Sequence, residues 1–282
     1  MFVFLWWLER GLRGVMEAYA LSAGVGMVVL AGAMLSRVAW RYEAALLRPL
    51  VRFGVPLVLA GLASLFMNIG DRYLLKALTD AATVGVYDWA ARLAGVLNML
   101  FVNSFQLAFG VLGLKVLATK EEGVSVYRRT FRHFVIWTGW CVLGLSLLAY
   151  DFTALVSSKE AYLAADVLVL PLALGFMAFG VYYIMVNVLF TGGKTLVLAG
   201  RVFFSAVFNA VLNVVLIPPL GALGSAVATT AAYFALMGLA ARAARRQLVV
   251  DYAWGKLVVV VGLVVALYAA GLPTADWPRA PH

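Results

Sequence analysis

Residues 167–190 read VLVLPLALGFMAFGVYYIMVNVLF, a run without a single charged side chain. At about 1.5 Å of rise per residue a helix over this stretch reaches about 36 Å, enough to cross a ~30 Å hydrocarbon core. Comparable apolar runs lie at 15–36, 53–70, 93–114, 134–150, 197–217, 221–241 and 257–272. Their number and near-regular spacing predict an all-α polytopic membrane protein of about eight transmembrane helices, with little room for a separate soluble domain.

Composition agrees: 65% of the residues are hydrophobic and 12% charged, far from the mix of a water-soluble enzyme. The net charge of +9 does not point to nucleic acid, because the basic residues sit in short segments between apolar runs with no interleaved aromatic platform. Cys141 is the only cysteine, and neither His133 nor His282 has a neighbour at metal-ligand spacing. Disulfides, a metal site and a cofactor are therefore not expected. Met1–Leu8 is apolar and aromatic but lacks the basic start and small-residue cleavage site of a signal peptide.

The charges between the runs alternate in sign. Fifteen of the 22 basic residues fall in four alternate connections: Arg37, Arg41, Arg48 and Arg52; Lys115, Lys120, Arg128, Arg129 and Arg132; Lys194 and Arg201; Arg242, Arg245, Arg246 and Lys256. The other connections hold Arg10, Arg13, Arg72, Lys76, Arg92, Lys159 and Arg279, together with Asp71, Asp80, Asp88, Asp151, Glu160 and Asp166. Positive residues of short loops stay in the cytoplasm, so the first set marks the cytoplasmic face and both chain ends lie outside. Trp6, Trp7, Trp137, Trp140, Trp254 and Trp277 mostly fall near span ends, as interfacial anchors do.

Three stretches carry a family likeness. The first is Arg52-Phe-Gly-Val-Pro-Leu at a helix start, followed by Gly70-Asp-Arg-Tyr-Leu-Leu and Val84-Gly-Val-Tyr-Asp-Trp-Ala-Ala-Arg-Leu-Ala. The second is Asn209-Ala-Val-Leu-Asn-Val-Val-Leu-Ile-Pro, and the third is Leu220-Gly-Ala-Leu-Gly-Ser-Ala-Val-Ala-Thr-Thr-Ala-Ala-Tyr. Over about residues 50–246 the chain resembles the C-terminal half of an oligosaccharide flippase, in the polysaccharide-biosynthesis branch of the multidrug/oligosaccharidyl-lipid/polysaccharide exporter superfamily. The resemblance implies that 1–48 is the last helix of an N-terminal lobe plus a cytoplasmic loop, and that 49–246 is a six-helix C-terminal lobe. Residues 247–282 then add one transmembrane helix and an outer tail. Two such lobes rock around a shared cavity, so most of the first lobe would be missing, which leaves open a second lobe or subunit, or a fragment.

Polar residues inside spans are costly and mark functional surfaces first. Asn68, Asp71 and Arg72 share one helical face at the outer end of the second span. Arg72, Lys76 and Arg92 are candidates to attract the diphosphate of a lipid-linked sugar, since guanidinium groups pair with phosphate; a plain Asp71–Arg72 ion pair is the competing reading. Arg201, Ser205, Asn209 and Asn213 form a stripe at spacing four, as do Tyr183, Asn187 and Thr191, while Asn103 and Gln106 mark the third span. Asn68, Asn103, Gln106, Asn187, Asn209 and Asn213 are thus candidates to line a hydrated cavity, against the alternative that the asparagines only hydrogen-bond neighbouring helices.

Several features carry plainer expectations. Glu17, the lone acid of the first span, lies close to its outer end, and a proton-carrying role competes there with simple interfacial exposure. Gly221, Gly224, Ser225 and Ala228 allow close helix packing. Pro56 and Pro171 are read as helix-start prolines. Phe-Thr-Gly-Gly-Lys-Thr at 190–195 ends like a phosphate-binding loop, but Val188 stands where the first glycine belongs, which excludes a nucleotide site. Arg128, Arg129 and Arg132 suit anionic lipid head groups.

The function expected is transport, not bond chemistry: movement of a lipid-linked oligosaccharide across a bacterial inner membrane for surface polysaccharide. A cation-coupled multidrug exporter of the same superfamily and a non-transporting fragment or assembly partner are the alternatives. A membrane glycan polymerase or ligase fits less well, because the outer loops are short.

Overall fold

The computed structural model describes residues 11–35, 37, 43–116, 120–157, 159–191, 195–247, 250 and 252–271. Arg10, Arg41, Lys194, Arg279, His282, the outer tryptophans at 6, 7 and 277 and the Gly-Gly-Lys of 192–194 lie outside the described residues.

Every regular element described is helical. In chain order these are α1 (Gly11–Leu35), α2 (Ala44–Leu78), α3 (Ala81–Leu97), a π-helical turn (Asn98–Asn103), α4 (Ser104–Val116), α5 (Lys120–Val156), a 3₁₀ segment (Glu160–Ala165), α6 (Asp166–Thr191), α7 (Thr195–Leu220), α8 (Ala222–Arg245) and α9 (Trp254–Gly271). With α3, the π turn and α4 forming one span, eight helical stretches among the described residues are long and apolar enough to cross a membrane. The chain divides into two compact units, residues 1–49 and 50–282. The first holds α1 and the opening turn of α2. Met27, Val28 and Leu30 of α1 are exposed, an apolar surface suited to lipid or protein.

In the second unit α6 is the central pillar. It packs against α3, α4, α5 and α8, and α9 closes on α5. Its window of highest hydropathy is 78% buried within the protein, the largest share of any span. This explains why 167–190 carries no charge: the helix meets other helices on all sides. Leu196, Phe203 and Val211 on α7 and Trp137 and Trp140 on α5 are instead exposed, as lipid-facing positions require.

The helices begin earlier and end later than the apolar runs. The segment from Asp71 to Arg92, read as an outer connection, is two helical legs joined at Thr79–Asp80. The basic segment 115–133 is likewise mostly the first turns of α5. At 37 residues α5 reaches about 55 Å, well beyond the hydrocarbon core, so its charged turns extend into the interface without breaking the backbone ladder. Pro56 correspondingly lies well inside α2, rather than at its start.

Two hairpins are fixed by local chemistry. Asp80 has extended backbone (φ −118°, ψ 170°) and its side chain accepts the Thr83 amide proton, capping α3. The backbone amide of Thr83 holds the exposed Asp80 carboxyl below the usual range. At the other, Pro218 and Pro219 end α7, and Gly221 turns the chain at φ 56°, a conformation that favours glycine. A Cβ at Gly224 would stand 2.1 Å from the Leu216 carbonyl oxygen, so only glycine lets α8 leave this close to α7.

Candidate functional site

The charged residues of α2 and α3 form one network. Arg72 Nε donates to Asp88 Oδ1 at 2.7 Å, Arg72 Nη1 meets Asp71 Oδ1 at 3.3 Å, and Arg92 Nε donates to Asp88 Oδ2 at 2.8 Å. Arg72 Nη1 also donates to the Asn68 carbonyl at 2.5 Å. Two arginines therefore meet two carboxylates, and the cluster is balanced in charge. Asp71 is 3% exposed and receives a short hydrogen bond from the fully buried Tyr87 hydroxyl. The Arg72 guanidinium carbon sits 5.9 Å from the Tyr87 ring centroid, adding a cation–π contact.

Tyr87 links this network to a second one. Its hydroxyl also approaches the side chains of Thr229 and Ser225 on α8. Thr229 accepts from Asn209 Nδ2 at 3.3 Å, Ser225 donates to Asn213 Oδ1 at 2.7 Å, and Asn213 Nδ2 donates to the Asn209 carbonyl at 2.9 Å. The asparagine stripe of α7 thus faces α8, fully buried, and acts as interhelical glue. A line of polar contacts runs from Arg92 on α3 through Asp88, Arg72, Asp71 and Tyr87 to Asn213 on α7.

A second branch leaves from Asn68, whose Oδ1 accepts from the Tyr233 hydroxyl at 3.3 Å. The Tyr233 ring lies 4.8 Å from that of Phe179, and Phe179 is 4.8 Å from Tyr183, which interacts with Gln106. Asn68, Asn103 and Gln106 are exposed on otherwise apolar helices. Lys76 is exposed one turn beyond Arg72 on α2. Asn187 is buried away from this line, donating to the Phe109 carbonyl at 3.3 Å beside Tyr127.

The sequence pairs Asp71 with Arg72 on one helical turn, but nothing in it places Tyr87, Thr229 or Tyr233 beside them. Asp88 and Arg92 were legible as a pair four apart; that Asp88 also clamps Arg72 depends on the α2–α3 hairpin. The π turn at 98–103 was likewise unread, and Asn98 Oδ1 there is buried without a partner among the described residues. No cluster of three potential metal ligands occurs among the described residues.

Between α2 and α7 lies an apolar cleft of about 870 Å³, walled by Leu59, Leu62 and Phe66 on one side and Leu196, Gly200 and Phe203 on the other. A smaller pocket of about 250 Å³ at the opposite end of the unit from Arg72 is lined by Val197, Arg201, Ala243, Arg246 and Gln247.

Residues 1–113 match the family described as polysaccharide biosynthesis protein. The matched region includes α1, α2, α3 and almost all of α4, with the Gly70–Leu75 and Val84–Ala94 stretches; the stretches at 209–218 and 220–233 lie beyond it. No curated protein and no solved structure matches the chain. The molecule is a multi-pass membrane protein that is similar, through residues 1–113, to the polysaccharide biosynthesis proteins, the family its sequence resembles.

Proposed function

We propose that the protein moves a lipid-linked oligosaccharide across a bacterial inner membrane for surface polysaccharide assembly, making and breaking no bond. The observation that carries this reading is the charged network held at the paired ends of two membrane-spanning helices, with Asp71 and Tyr87 buried in it. Ion pairs are expensive in such a place and are retained where a polar cargo passes or a helix must reposition. The balanced charge of the cluster bears on its role. Arg72 exchanges Asp71 or Asp88 for a diphosphate, with Arg92 and Lys76 at the exposed margin. The exposed Asn68, Asn103 and Gln106 fit a hydrated cavity closed by a counterpart lobe, carried on this or a second polypeptide. Arg128, Arg129 and Arg132 fit anionic lipid head groups.

The test is transport in cells carrying Arg72→Ala or Arg72→Lys at normal membrane abundance. Surface glycan should fall steeply for alanine and partly recover for lysine; unchanged display with alanine sinks the reading. The buried Asp71 favours a second reading, cation-coupled export of small molecules, because an acid in a span is a natural ion or proton carrier. Ion-dependent efflux by the wild-type chain separates the two: efflux that is lost in Asp71→Asn supports the second reading, and its absence from the wild-type chain supports the first.

A further inference from the structure

We infer that Arg201, Arg246 and Gln247 form a binding site for the phosphate of a membrane lipid, whose chain lies in the neighbouring α2–α7 cleft. The site goes beyond the transport reading and is tested by binding alone.

Three observations converge. The pocket brings two guanidinium groups and an amide to one end of the α7–α8 hairpin. Arg201 Nε is buried and has no hydrogen-bond partner there. Neither arginine pairs with a described carboxylate, whereas Arg72 and Arg92 are both occupied by Asp71 or Asp88. A buried, charged N–H without an acceptor is costly to maintain, and phosphate oxygens satisfy guanidinium donors in pairs.

The adjoining cleft identifies the bearer of the phosphate. Along the first turns of α7, Leu196 and Gly200 wall the cleft, while Val197 and Arg201 wall the pocket. One helix thus presents an apolar channel and a cationic pocket side by side. From Leu196 to Val211 the cleft follows α7 for about 22 Å at ~1.5 Å per residue, a large part of the ~30 Å hydrocarbon core. A free anion would use the pocket and leave the cleft bare. A phosphate-ester lipid uses both. The pocket lies among Arg201, Arg242, Arg245 and Arg246, the basic end that the charge alternation assigns to the cytoplasm, so the lipid is one of the inner leaflet.

The experiment measures lipid retention by the full chain in maltoside micelles, which contain no phosphate, using native mass spectrometry. The probes are dioleoyl phosphatidic acid, dioleoylglycerol and inorganic pyrophosphate. Phosphatidic acid should bind about tenfold or more tightly than dioleoylglycerol, and the Arg201→Gln/Arg246→Gln double variant should erase that preference. A Cβ at Gly200 meets nothing within 4 Å and Gly200 lines the cleft, so Gly200→Leu adds its side chain to the cleft from an open position. It should weaken phosphatidic acid about fivefold or more and leave pyrophosphate unchanged. Equal retention of the two lipids, or wild-type binding by the double variant, overturns the site. Binding of pyrophosphate as tight as phosphatidic acid, with Gly200→Leu silent, overturns the lipid assignment in favour of a free anion.

Discussion

The two ends of the second unit carry arginines in opposite states. At the α2–α3 end Arg72 and Arg92 are bound by Asp71 and Asp88, with Tyr87 closing the cluster from below. At the other end, where α7 begins and α8 stops, Arg201 and Arg246 share a pocket without a described acid. The same side chain is thus a structural brace in one place and an open receptor in the other. What differs is the neighbouring helix: a hairpin that brings carboxylates across in the first case, and one that brings only alanine, arginine and glutamine in the second.

The comparison breaks most readily at Asp71. Asp71→Ala takes the carboxylate from the buried Tyr87 hydroxyl and leaves Arg72 with Asp88 alone, and should cost about 1 to 3 kcal/mol, against no loss for Arg201→Gln, when thermal unfolding is followed in detergent. Equal losses at the two ends would mean that the inner arginine is braced as well. Gly224→Ala tests the α7–α8 turn, at the far end of α7 from Arg201. The added methyl meets the Leu216 carbonyl and should cost about 1 to 3 kcal/mol through displaced backbone.

Smaller effects sharpen the picture. Asn213→Leu removes the Ser225 contact and should cost about 0.6 to 1.7 kcal/mol, the usual worth of a membrane interhelical hydrogen bond. Arg92, whose side chain is 74% exposed, should lose at most about 1 kcal/mol as Arg92→Ala, since exposed pairs are weak. The smallest effect concerns Asp80. Its carboxyl is held low in the folded chain by the Thr83 amide, so the cap is fully present above the unfolded carboxyl value near ~4 and lost as pH falls through the lower folded value. Protection of the Ala82 and Thr83 amides, with exchange rates divided by their intrinsic pH-dependent values, should fall in that acidic window and stay constant there in Asp80→Ala.

Much of the fold was legible because the hydrocarbon core imposes a length and a composition on every helix. The charge-free run at 167–190 and its seven companions match the eight long apolar helices in order. Helix ends were less legible. Charged residues such as Asp71, Arg72, Lys120 and Arg128 stop an apolar run but not a helix, whose backbone ladder continues into the interface. The site was half legible. Asp71 and Arg72 on one turn, and Asn209 and Asn213 four apart, are patterns within one helix.

The chain by itself determined the number of helices, their all-α character, the basic end and the local hairpin signals, because each depends on residues near one another along one segment. Tertiary structure alone decided which arginines are satisfied, that Tyr87 joins two polar stripes, and that the Asn209 stripe meets α8. It also decided that a cleft and a cationic pocket share one helix. Those outcomes depend on which faces of distant helices meet, and the spacing within any one helix does not specify its partner.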